Sequence, residues 1–106
     1  MASGWQRLAS ASEIREGTPF PVELDGNPIA LYRVGDRIHA LDDMCTHEFA
    51  LLSEGFVEGG TIECPLHAAQ FEIATGRCLC GPAAEDLRSY EVRLEGDDVF
   101  VRAPEK

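Results

Sequence analysis

Two short segments constrain this chain more than any other feature: Cys45-Thr46-His47 and, sixteen residues later, Cys64-Pro65-Leu66-His67. Each pair offers one thiolate and one imidazole from neighbouring positions. Thiolate sulfur is soft and suits iron or zinc, while neutral imidazole is a borderline donor that adds no negative charge. Two of each complete a set of four ligands. A chain of 106 residues builds a thin core and gains from a staple of this kind. The four cysteines could instead form two disulfides. However, the start Met1-Ala2-Ser3-Gly4-Trp5 lacks the charged-then-apolar pattern of a secretory signal, and a reducing compartment favours metal binding or free thiols. The expected location is the cytoplasm. No apolar run approaches the roughly 20 residues that span a bilayer.

Two kinds of centre compete for the ligand set Cys45, His47, Cys64 and His67. A mononuclear zinc site can use two cysteines and two histidines, but zinc fingers usually group each type together, with the histidines on a helix. Here the types alternate and no helix follows. In a 2Fe-2S centre of mixed ligation, two cysteines hold one iron and two histidines the other, so each loop must present one of each. The spacing favours the 2Fe-2S centre, with zinc as the alternative.

Around these pairs the chain reads as all-β. Short β-branched or aromatic runs alternate with turn residues, and helical periodicity is nearly absent. Asp25-Gly26 separates 21–24 from 29–34, and Gly35-Asp36 separates that run from 37–41, which predicts a meander. Residues 90–95 alternate apolar and charged before Gly96-Asp97 turns the chain into 99–102, a second hairpin. Gly59-Gly60 and Thr75-Gly76 punctuate a β-rich middle. The one helical candidate is a turn at Ser10, with Glu13 at capping-box spacing and Gly17 as a stop. All four cysteines and two of the three histidines fall in the middle block. The expected organisation is therefore one domain, 1–106. A metal-binding subdomain of about 42–83 is carried on a β base formed by 1–41 and 84–106.

The two Cys/His pairs, with Phe71, Thr75-Gly76 and Gly81-Pro82-Ala83 after them, resemble a Rieske ferredoxin along nearly the whole chain. The resemblance is closest to the free ferredoxins of bacterial aromatic-ring dioxygenase systems. It implies an antiparallel Rieske-like β-sandwich of base sheets plus a small cluster-binding subdomain. It also implies one Rieske-type 2Fe-2S cluster on Cys45, His47, Cys64 and His67. In that family a flavin-dependent reductase passes electrons from a nicotinamide cofactor to the ferredoxin, which carries them singly to a terminal oxygenase. The chain is then a shuttle and not an enzyme, since 106 residues leave no room for a catalytic iron domain. A small subunit of another reductase that kept its cluster is a further alternative, as is a zinc-binding interaction module without redox chemistry.

High-potential members of the wider family carry a disulfide between the cluster loops, and a serine and a tyrosine that donate hydrogen bonds towards the cluster. By resemblance those positions are Ala50 and Leu66 for the disulfide, Ala69 for the serine and Phe71 for the tyrosine. Hydrogen bonds to sulfur stabilise the reduced, more negative state, so their loss implies a low potential, about −150 mV. His47 and His67 are expected at an exposed tip. Glu48, Phe49, Leu66 and Gly81-Pro82-Ala83 would surround them as a small, transient contact surface.

The remaining features read as structural. Nineteen acidic against nine basic side chains, a formal charge of −10, argue against nucleic acid or anionic lipid and towards a positively charged protein surface. A shuttling carrier works most simply as a monomer. Cys78 and Cys80, two apart on a strand, are expected to be free thiols, since a disulfide between them would close a strained ring. His39 is expected to point outward from a strand. Asp42-Asp43 are expected to shape the turn into the first loop and add surface charge. Trp5 is expected to pack the first strand onto the base sheet.

Overall fold

A computed structural model describes residues 4–46, 50–66, 69–80 and 85–103. Eleven strands form among them: β1 (Trp5–Ser10), β2 (Phe20–Leu24), β3 (Asn27–Val34), β4 (Arg37–Asp42), β5 (Phe56–Glu58), β6 (Thr61–Glu63), β7 (Gln70–Glu72), β8 (Cys78–Cys80), β9 (Ser89–Tyr90), β10 (Val92–Glu95) and β11 (Asp98–Arg102). They make three antiparallel sheets, in the orders β1-β11-β10, β2-β3-β4-β9 and β5-β6-β7-β8. The fold is all-β, as the turn signals predicted. Among the described residues no helix is long and apolar enough to cross a membrane.

The expected meander is β2-β3-β4. Its first turn places both Asp25 and Gly26 at positive φ, +53° and +83°, which matches the right-handed twist of the flanking strands. The β3 run Ile29-Ala30-Leu31-Tyr32 is apolar without alternation because both faces of its sheet are covered. Ile29 and Leu31 enter a core with Ala9, Ile14, Leu24, Val99 and Val101, between this sheet and the β1-β11-β10 sheet. Ala30 and Tyr32 enter a second core on the other face, with Leu41, Leu52, Ile62, Phe71, Ile73 and Leu87. Successive strand residues point to opposite faces, so one strand serves two cores.

The predicted C-terminal hairpin forms from Val92 onward rather than from Tyr90. Tyr90 belongs to β9, which pairs with β4 through Ala40. Its hydroxyl donates to Asp42 at 2.5 Å. The chain thus changes sheets at Glu91, and the even alternation of 90–95 concealed the switch. The turn at Ser10 is a single 3-10 turn, Ala11–Glu13, with the Glu13 carboxylate accepting from the Ser10 amide at 2.9 Å. Trp5 lies on β1, paired with β11, and the Arg93 guanidinium sits 5.5 Å over its ring.

Candidate metal centre

Of the four predicted ligands, Cys45 and Cys64 lie among the described residues; His47 and His67 lie outside them. The two thiols are 4% and 1% exposed and share one buried cluster. Each opens a loop closed in the same way. The Cys45 amide donates to the Ala50 carbonyl at 2.9 Å, and the Cys64 amide donates to the Ala69 carbonyl at 2.8 Å. Both closures span five residues, so the two repeat one another, and their cysteines are buried in the same core. This matched pair, with an imidazole expected in each loop, fits a binuclear centre that needs one thiolate and one imidazole from each side.

Several contacts hold the first loop that the motif alone does not reveal. Asp43, expected at the surface, is instead 1% exposed. Its carboxylate accepts from the Ser53 amide and from the Ser53 hydroxyl, both at 2.7 Å. Burial of the charge is offset by these two bonds, and the pair fastens the two ends of the 43–53 loop. An isolated bridge between Met44 and Leu51 and a bond from the Leu52 amide to the Asp43 carbonyl extend this closure. The Thr46 hydroxyl donates to the Glu85 carbonyl at 2.6 Å, tying the same loop to the segment before β9.

The second loop rests on the first. Gly55 lies so close to the end of β6 that a Cβ there would stand 2.0 Å from the Glu63 carbonyl oxygen. Gly76, at φ +82°, is held by a bond from the Leu87 amide to its carbonyl, and a Cβ would approach the Leu87 oxygen to 2.4 Å. Only glycine allows both approaches. Sequence reasoning missed the pairing of Asp43 with Ser53 and missed Gly55 as supports of the loops, and read Gly76 only as turn punctuation and part of the resemblance. Ten residues separate the first pair, and a lone glycine in a loop carries no signal of what crosses it.

Ala69 and Phe71 are fully buried, and neither carries a hydroxyl. Ala50 is half-buried and Leu66 is 55% exposed. Glu48, Phe49 and Gly81-Pro82-Ala83, expected around the tip, lie outside the described residues. Cys78 is half-buried and packs against the core that holds Cys45 and Cys64. Its amide donates to the Asp86 carboxylate at 2.8 Å. Its neighbour Cys80 ends the same strand. His39 is half-buried rather than fully outward and sits across from Tyr32. Burial, helped by the nearby Arg37 charge, lowers its pKa from the ordinary 6.5.

Comparison with known proteins agrees with this geometry. The Rieske [2Fe-2S] domain matches residues 4–91. The ferredoxin component of the naphthalene 1,2-dioxygenase system of Pseudomonas aeruginosa is 42% identical over 101 residues, covering 95% of this chain and 97% of that protein. The ferredoxin subunit of 3-phenylpropionate/cinnamic acid dioxygenase from Shigella boydii is 46% identical over 96 residues, 89% of each. Among solved structures, a chain in the complex of reduced oxygenase and oxidised ferredoxin of carbazole 1,9a-dioxygenase superposes with a TM-score of 0.89. It has 38% identity and covers 99% of this chain and 98% of that one. The ferredoxin of carbazole 1,9a-dioxygenase from Nocardioides aromaticivorans gives 0.91 at 30% identity, covering 96% of this chain and all of that one.

Proposed function

The chain belongs to the Rieske [2Fe-2S] domain family, and from that premise we propose that it is the one-electron carrier of an aromatic-ring dioxygenase system. The observation that carries this reading is the pair of buried thiols, Cys45 and Cys64, on two loops of identical closure. They belong to a chain similar over nearly its full length to ferredoxin components. Cys45 and Cys64 would hold one iron, and His47 and His67 would hold the other. When bound, the cluster takes up and releases single electrons. The protein's part is to bury the thiolates, orient the loops and keep water from the sulfur side.

The cluster-binding subdomain covers about 42–83, and the remainder is its base. Electrons arrive from a flavin-dependent ferredoxin reductase and leave to a terminal oxygenase. Each meets the chain in transient docking at the end that bears the two loops, and the carrier works as a monomer in the cytoplasm. Leu66, exposed between Cys64 and His67, supplies apolar contact there. The potential is low, because Ala69 and Phe71 present only carbon where a hydroxyl would stabilise the reduced state.

The test is iron, acid-labile sulfide and zinc content, with electron paramagnetic resonance before and after dithionite and a redox titration. Two irons and two sulfides per chain, a rhombic signal only on reduction and a midpoint below zero are expected. One zinc without labile sulfide, after failed reconstitution, would replace this reading with the zinc module. A midpoint well above zero would remove the low-potential assignment alone.

A further inference from the structure

Among the described residues, one buried side-chain polar atom has no hydrogen-bond partner: the hydroxyl oxygen of Tyr32. Buried hydroxyls are nearly always paired, and an unpaired one costs free energy. Tyr32 is 1% exposed and points into the core that contains Cys45 and Cys64. Apart from Tyr32 itself, the buried members of that core are alanine, leucine, isoleucine, phenylalanine and the two cysteines. The only side-chain heteroatoms they offer are therefore the sulfurs that the proposed function assigns to iron.

We propose that Tyr32 is a positioning and tuning residue for the 2Fe-2S centre, its hydroxyl donating a hydrogen bond to sulfur in the core that buries Cys45 and Cys64. This rests on the cluster reading above. The charged group whose field reaches the Tyr32 hydroxyl is Asp43, and its two carboxylate oxygens already accept from Ser53. Thiolate and sulfide sulfur are acceptors, and a phenol is a donor as long as it stays protonated. Burial first, and the Asp43 charge second, push the Tyr32 ionisation above the usual phenol range, so the proton is retained. A donor aimed at sulfur stabilises the reduced state, in which the centre carries one more negative charge. Tyr32 thus supplies from the base sheet part of what Ala69 and Phe71 do not supply from the second loop. β3 delivers it because its alternate residues face the two cores.

The experiment compares wild type and Tyr32→Phe, which removes one oxygen and keeps the ring. The midpoint potential is read by titration. Coupling of an exchangeable proton to the reduced centre is read by electron-nuclear double resonance in H2O and D2O. The expected result is a lower midpoint in the variant and loss of one exchangeable coupling that wild type shows. An unchanged midpoint with all couplings retained overturns the proposal and gives the hydroxyl to an internal water or to Cys78. Wild type alone decides if the variant does not fold, since absence of any exchangeable coupling overturns the proposal equally. Wild type lacking iron and labile sulfide would overturn the cluster reading itself, which separates the two failures.

Discussion

The base and the cluster-bearing sheet solve the problem of stability in different ways. The base strands run to eight residues, and their core between two sheets is purely hydrocarbon. The base, 1–41 and 84–106, carries twelve carboxylates against eight basic side chains, and some of these are paired: Arg7 with Asp98 and Arg102 with Glu91, while Arg33 donates to the carbonyls of Ile14 and Ala11. The β5-β6-β7-β8 sheet has four strands of three residues each. The block 42–83 holds seven carboxylates against a single basic residue, Arg77, and its core ends in two thiols and an unpartnered hydroxyl. Short strands bury little area, and unbalanced charge repels. The base can hold its shape by burial alone, whereas the other region completes its interior with the inorganic centre.

The largest expected effect follows from removing that centre. In the Cys45→Ser, Cys64→Ser double variant, amide exchange should become fast across β5 to β8 and stay slow in β2, β3, β4 and β11. Uniform loss of protection would show that the two regions fold as one unit and would break the comparison.

Two glycine substitutions sharpen it. Gly55→Ala drives a Cβ into the Glu63 carbonyl and should cost about 3 kcal/mol or more, with reduced cluster content in the purified protein. Gly26→Ala, in a base turn at φ +83° with open space around it, should cost only about 1 kcal/mol, with cluster content unchanged. Denaturant unfolding and iron analysis on both variants check this, and equal costs would refute the idea that the loops are the tightly fitted part.

A smaller effect is expected from Asp43→Ala. It deletes the acceptor of both Ser53 bonds and should cost about 2 kcal/mol. Exchange of the Ser53 amide should speed up before any base amide does.

The smallest effect belongs to the base and to high pH. Burial, then the hydrogen bond to Asp42, push the Tyr90 ionisation up to about 12. An unfolded tyrosine ionises near 10, so the folded state's advantage from this group is complete below pH 10. It is lost as pH rises from 10 to 12. Tyr90→Phe should make that part of the alkaline decline shallower while the midpoint potential stays the same. A shifted potential would mean that β9 is coupled to the centre.

Local rules made much of this legible. Asp25-Gly26, Gly59-Gly60 and Gly96-Asp97 announce hairpins because a two-residue turn and the alternation beside it are properties of adjacent residues. The ligand candidates were equally readable, since a Cys/His pair states its chemistry in three or four positions. Asp43 was misread as a surface charge because its partner Ser53 lies across a loop. Tyr90 was assigned to the wrong strand because alternation does not say which sheet it serves.

The sequence by itself therefore determined the β character and the turns and named the candidate donors, all of which depend on residues near one another in the chain. Only the tertiary structure decided that β3 faces two cores, that Cys45 and Cys64 are buried in one of them, that Gly55 lies against β6, and that the Tyr32 hydroxyl enters that same core without a hydrogen-bond partner among the described residues. These depend on how sheets stack. Stacking is set by burial summed over many distant residues, and no single stretch of the chain encodes that sum.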